Sequence, residues 1–554
     1  MASEAGTEAE VDAVVVGAGF AGLYMLHKLR DDLGLKTRVL EAASGVGGTW
    51  HWNRFPGARC DSDAYVYCYS FDEELLQEWD WSGKYPTQPE ILSYLEHVAE
   101  RYDLNKDITF NTFVDAAHFN SADRVWEIQT RDGEIVRARY FITAIGHLTI
   151  ARYVPDLPGL RSFDGEWFHT SAWPEGVDLK GKRVGIIGTG STGVQAIPVI
   201  AEEAEHLVVF QRTPQYVVPA CHETVDEAFL AEVKANYPEI WERSKWSAGG
   251  FPWQHNGLSA LDVDDRERWQ VYERLWAEGG QKFAIGSYKD ILMDRRANDT
   301  VSEFIRAKVR ELVQDEDLLW KLLPADHPYM ARRPIIGTHY YETFSRTNVT
   351  LADVKHYPII EVTPDGIETE EGHFALDVIV FATGFDALTG PFFNIDIRGE
   401  GGLSLQEAWR DGPSGYLGLL TSGFPNMFMI TGPTSAQGNA PVAIEHHVEW
   451  IADCIDYMRQ EGVELIQPYE DLESEWVQGI RRRADRSLKT LSDSWQNGSN
   501  IPGKPHMVLS APGHFGMYRK TTDEEAAQGY PHFMKTKAIV DSRLQSSVST
   551  RSAQ

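Results

Sequence analysis

Two short glycine patterns constrain this chain more than any other feature of its 554 residues: GAGFAG at 17–22 and GTGSTG at 188–193. Each follows an apolar, β-branched run, residues 12–16 and 182–187. Each then opens a stretch with apolar residues at helical spacing, Leu23, Leu26, Leu29 and Leu33 after the first. GxGxxG alone arises by chance, but strand, glycine turn and helix in this order is the setting of a dinucleotide-binding βαβ unit. Gly17 permits the tight turn, Gly19 lets the backbone approach a pyrophosphate, and Gly22 allows helix and strand to pack closely. The helix N-terminus then offers N–H groups and a positive dipole end to the phosphates. Gly188, Gly190 and Gly193 repeat the arrangement, with Ser191 and Thr192 on the second turn. The chain is expected to be an α/β protein with two Rossmann-like dinucleotide-binding domains.

One position separates the two units. Glu41 closes the strand at 37–40, 24 positions after Gly17, where an acid accepts from the ribose hydroxyls and repels a 2′-phosphate. That site suits FAD or NAD. Arg212, followed by Thr213, stands 24 positions after Gly188 and offers a 2′-phosphate a bidentate partner, so the second cofactor is expected to be NADPH. The chain as a whole carries 52 basic and 82 acidic residues, a net charge of −30. Such a surface repels nucleic acid and anionic membrane, and NADPH needs a locally basic pocket. The acidic N-terminus is not a signal peptide, and no apolar run reaches a membrane span. Cys60, Cys68, Cys221 and Cys454 form no CxxC pair. They read as free thiols, with a Cys60–Cys68 redox pair as the alternative, and the protein is expected to be cytoplasmic. His446 and His447 are adjacent rather than four apart, so no metal is expected there.

Between the glycine turns lies FDGEWFHTSAWP, residues 163–174. Its pattern FxGxxxHxxxWP resembles the fingerprint of the type I Baeyer–Villiger monooxygenases. The stretch GGTWHWNRFPGARCD at 47–61 resembles a second pattern of that family, GGxWxxxxFPGxxxD. The resemblance implies an enzyme in which NADPH reduces FAD and O2 forms a C4a-peroxyflavin. Its peroxide attacks a small-molecule ketone to give an ester or lactone, with sulfide oxidation as a side activity. It implies that residues 47–61, with Gly48, Thr49, Trp50 and Arg59, wrap the FAD, and that Asp61 contacts an active-site arginine. Tyr67 and Val114 fall where the family makes further flavin contacts, though both suit a core equally. MARRP at 330–334 resembles the segment whose second basic residue, here Arg333, is catalytic; Arg332 before it would help bind the 2′-phosphate. A fixed guanidinium would stabilise the peroxide anion and the charge on the tetrahedral adduct. Trp495, in the loop at 494–505, would cover the nicotinamide. His169 and Trp173 are expected to couple the two domains rather than to catalyse, and Gly165 to allow a turn. The loop at 431–439 resembles the family's GPxSP loop at the flavin, with Ala436 in place of the proline. The pocket is expected to be built from loops, and cyclic, linear, aromatic and steroid ketones all stay open as substrates.

The expected organisation is discontinuous. Residues 1–150 and 390–541 form the FAD domain, 151–225 and 325–389 the NADPH domain, 226–324 a helical insertion and 542–554 a disordered tail. The insertion's tryptophans (Trp241, Trp246, Trp253, Trp269, Trp276) read as core rather than substrate pocket, and the protein as a monomer or weak oligomer. Three other readings compete. A flavin monooxygenase acting on nitrogen or sulfur shares FxGxxxH but lacks the following tryptophan–proline pair and the Arg333 segment. A disulfide reductase needs a vicinal cysteine pair, and a non-enzymatic nucleotide sensor would not need the catalytic positions.

Overall fold

The structure, a computed structural model, describes residues 10–436, 438–510 and 513–537; the tail expected to be disordered lies outside them. Both glycine patterns stand where a buried parallel strand meets a helix. The strand Val11–Val16 is almost wholly buried and pairs in parallel with Thr37–Leu40 on one side and Ile135–Thr143 on the other. Burial on both faces explains why it reads as a continuous apolar run. This eight-stranded sheet continues through an antiparallel meander, Val114–Asn120, Val125–Thr130 and Ile135–Thr143. Late in the chain Met427–Met429 joins Ile135–Thr143, and Asp396–Arg398 joins Val114–Asn120.

The second sheet is entirely parallel, in the order Val349–Asp353, His206–Gln211, Arg183–Ile187, Val378–Phe381, Glu166–His169. Residues 163–169 thus supply its edge strand, zipped to Val378–Phe381, just before the chain returns to the first sheet. The outward and return crossings run side by side. Tyr153 N–H donates to Gly384 O (2.9 Å), Asp386 N–H to Ala151 O (2.8 Å), and Thr383 Oγ1 to Tyr153 O. Gly165 differs from expectation. Its φ is not left-handed; instead, a Cβ there would lie 2.3 Å from Asp377 O, so glycine serves the close approach of two strands.

Between the second sheet's halves the chain is helical. The helix Glu227–Trp246, capped by the Asp226 side chain, packs Val233, Tyr237 and Trp241 into the core of the first sheet. Asp265–Glu278 and Arg295–Leu312 contribute Tyr272, Leu275, Phe304 and Ile305 to the core of the second. The tryptophans divide. Trp241 is core and Trp276 packs edge-on to Phe283 and Phe304, but Trp246 and Trp269 are 42% and 40% exposed, so the core reading fails for these two. Trp269 still lies edge-on to Phe304, and Arg519 stacks over the ring of Trp246. Among the described residues no helix is long and apolar enough to cross a membrane.

The two glycine turns make a stability test. A Cβ on Gly193 would lie 2.3 Å from Gly188 O, whereas one on Gly190 would meet nothing within 4 Å. Gly193→Ala is expected to cost about 1–3 kcal/mol, as overpacked sites do, and to lower the thermal midpoint. Gly190→Ala should melt like the parent. Equal melting of both variants would refute the packing role of Gly193.

Candidate active site

A cavity of about 1340 Å³ opens between the two sheets. That exceeds the roughly 300–1,000 Å³ of an ordinary small-ligand pocket, and both glycine turns border it. From the first sheet's side come Gly17, Gly19, Glu41, Gly48, Thr49, Trp50, Arg59, Asp61, Tyr67 and Val114; from the second's, Gly188, Gly190, Ser191, Thr192, Arg212 and Thr213. Arg332, Arg333 and Trp495 complete the expected set. Gly22 and Gly193 do not line the cavity: each lies one turn into its helix, where a Cβ would strike the carbonyl of Gly17 or Gly188. Their part is packing, not contact.

The lining inverts the charge of the chain. Seven arginines and lysines face it against three carboxylates, Glu41, Asp61 and Asp493. Glu41 is 4% exposed and accepts N–H bonds from Ala18 (2.5 Å) and Ala43 (2.7 Å). Burial raises its pKa while these bonds oppose the rise, and each oxygen keeps a lone pair for a further donor. Trp50 and Tyr67 brace each other edge-on, with Trp50 Nε1 donating to the Tyr67 hydroxyl at 3.2 Å.

At the centre Arg333 grips Asp61 with two prongs. Nε lies 3.0 Å from Oδ2, and Nη2 lies 2.6 and 2.8 Å from Oδ1 and Oδ2. The 44% exposure of the arginine side chain is exposure to the cavity. Asp61 holds its pKa above the ordinary arginine value, outweighing burial, so the group is a permanent cation. Gln281, not singled out from the sequence, donates from Nε2 to Asp61 Oδ2 and to Pro334 O, both at 3.4 Å, and so ties the acid to the backbone beside Arg333. It follows two left-handed glycines, Gly279 and Gly280, in a turn between helices; that pair of glycines was the available signal. Asn439, at the end of the 431–439 loop, lines the cavity too, and Phe251 does so without any motif to announce it.

His169 lies outside the cavity, 2% exposed. Its Nδ1 accepts the Ser171 N–H (3.1 Å), so Nε2 carries the hydrogen and donates to Gly384 O (3.0 Å). Burial lowers its pKa to about 4, which keeps the ring neutral. It clasps the edge strand to the paired crossings, and Trp173 packs on Phe168 beside it. The loop at 494–505 is docked on the return crossing. Asn500 Nδ2 donates to Phe385 O, and Lys504 to Asp386 and Ala387 O. Cys60 and Cys68 are free and buried, and burial pushes both thiols up. His446 and His447 are occupied, bonded to Thr522 Oγ1 and to the Thr431 N–H and Tyr518 hydroxyl.

Comparison with known proteins matches this geometry. The profile of the flavin-binding monooxygenase-like family matches residues 11–227. A Baeyer-Villiger monooxygenase of Pseudooceanicola batsensis is 46% identical over 529 residues, 95% of this chain and 96% of that one. A phenazine N-monooxygenase of Lysobacter antibioticus is 44% identical over 525 residues, 94% and 96% of the two chains. A crystal structure of cyclohexanone monooxygenase from Rhodococcus sp. Phi1 bound to NADP+ superposes with a TM-score of 0.94. It is 44% identical and covers 96% of this chain and 100% of that one.

The position of Arg212 at the cavity wall, after the second sheet's strand His206–Gln211, yields a cofactor test. Arg212→Ala is expected to raise the KM for NADPH about tenfold or more, the worth of a charge-assisted contact, and to leave the KM for NADH nearly unchanged. An equal effect on both would show that Arg212 does not read the phosphate.

Proposed function

Because this chain belongs to the Baeyer–Villiger monooxygenase family, we propose that Arg333, held by Asp61, is its catalytic residue. The protein is an FAD-containing, NADPH- and O2-dependent oxidoreductase that converts a ketone to an ester or lactone. A bound flavin would supply the acceptance of hydride from NADPH and the activation of O2. Everything else falls to the side chains. The observation that carries the assignment is the two-pronged Arg333–Asp61 pair inside a cavity bordered by both glycine turns.

A guanidinium fixed in this way stabilises negative charge where it develops and need not reorganise during the reaction. It keeps its proton, so an anion beside it is stabilised without being protonated. Asp61 sets the orientation of the fork, and Gln281 sets that of Asp61. The same reading gives FAD to Gly17, Gly19, Glu41, Gly48, Thr49, Trp50, Arg59, Tyr67 and Val114, in residues 1–150. It gives NADPH to Gly188, Gly190, Ser191, Thr192, Arg212, Thr213 and Arg332, with Trp495 over the nicotinamide. The substrate is a small-molecule ketone. A cytoplasmic location, where NADPH is supplied and thiols stay reduced, fits the free, buried Cys60, Cys68 and Cys454.

A second reading has one observation in its favour: the phenazine N-monooxygenase relative, whose name gives a ring nitrogen as the atom oxygenated. One experiment addresses both. Arg333→Ala should still take up FAD and oxidise NADPH but lose ester formation by about 10²–10³-fold, the usual effect of removing one preorganised donor. Product analysis of the parent enzyme with a ketone panel, a sulfide and an aromatic N-heterocycle accompanies it. Full ketone turnover by Arg333→Ala would sink the assignment. An N-oxide from the heterocycle with no ester from any ketone would favour the second reading.

A further inference from the structure

The cavity wall carries a cation that the reading above leaves unused. Lys489 lines the cavity from a short turn of 3-10 helix, Leu488–Leu491. The turn is held from outside. The Leu488 N–H donates to Leu292 O at 2.9 Å, the Leu488 side chain is buried, and Ser487 Oγ accepts the Lys489 N–H at 3.4 Å. Among the described residues no carboxylate or hydrogen-bond acceptor meets the Lys489 ammonium. The charged group that acts on it is Arg333, itself a cation, and burial together with this neighbour pushes its pKa down.

The carboxylates of the wall are committed elsewhere. Glu41 accepts backbone N–H groups, Asp61 is gripped by Arg333, and Asp493 acts on Arg332. A lysine partly withdrawn from water and facing another cation lacks one negative charge, and that charge must arrive with a ligand. The cofactor phosphates are assigned to the glycine turns, Arg212 and Arg332. Lys489 lines the same cavity as Arg333, and the two cations act on each other within it.

We propose that Lys489 is a specificity-determining residue that binds the carboxylate of a keto acid while the ketone carbonyl lies at Arg333. The inference rests on the assignment of Arg333 made above. It makes anionic ketones a preferred substrate class of this enzyme, recognised by a charge-assisted lysine–carboxylate pair.

The test compares cyclohexanone with 4-oxocyclohexanecarboxylate, a neutral and an anionic ketone on one ring, using the FAD-loaded full-length enzyme. Lys489→Met keeps the aliphatic stem and removes the charge; Lys489→Arg restores it. FAD content and thermal midpoint verify that both variants are folded. The ratio of kcat/KM for the keto acid to that for cyclohexanone is expected to fall about tenfold or more in Lys489→Met and to recover in Lys489→Arg. The KM for NADPH should stay at the parent value. An unchanged ratio overturns the proposal, and so does a raised KM for NADPH that affects both ketones alike, which would give the charge to a cofactor phosphate. If the parent enzyme oxygenates neither ring, the reading of the reaction fails and this inference with it. Conversion of cyclohexanone with an unaltered ratio defeats this inference alone.

Discussion

A carboxylate and a guanidinium 272 positions apart in the chain meet in the cavity between the sheets, and the geometry of the site depends on that meeting. Withdrawing two charges from water is costly, and such a pair is often no better for stability than two well-packed apolar groups. Its value here is positional. Asp61 belongs to the segment that follows the first βαβ unit, and Arg333 to the chain on its way back into the second sheet. The pair therefore registers one sheet against the other at the point where two bound nucleotides would meet. Gln281, arriving from the helical insertion, adds a third anchor. Three separate parts of the chain thus converge on one carboxylate.

Around this pair the electrostatics run opposite to those of the molecule. A chain of net charge −30 encloses a wall on which cations outnumber carboxylates by seven to three. Low-dielectric walls focus such a field and draw anions inward, while the outer surface repels them. Discrimination within the cavity is finer. Glu41 and Arg212 occupy equivalent places after their glycine turns, and under the proposed assignment their opposite charges would direct the two nucleotides to different ends. Neither residue needs the rest of the fold to be read, because strand, turn and helix fix its distance from the first glycine.

That local logic marks what was legible in the sequence. The glycine turns, Glu41, Arg212, Asp61 and Arg333 could be named from spacing or from a family pattern, and they line one cavity. Gly165 could be singled out but its reason could not. Its backbone conformation is ordinary, and the carbonyl of Asp377 that excludes a side chain lies far along the chain. Gln281, Phe251 and Lys489 escaped because they enter from helices and short turns whose periodicity reports packing and not the direction of one polar end. Trp246 and Trp269 escaped for the complementary reason, since a half-exposed indole has the same composition signal as one buried within the core.

The clasp made by His169 sets which movements the two sheets have available. Both covalent crossings pass the same place, tied by three hydrogen bonds and by an imidazole that donates to Gly384. Sliding the sheets apart would break all of these at once. The paired crossings and the imidazole thus form one pin beside the second sheet. Because the ring remains neutral down to about pH 4, the pin holds its shape throughout the physiological range.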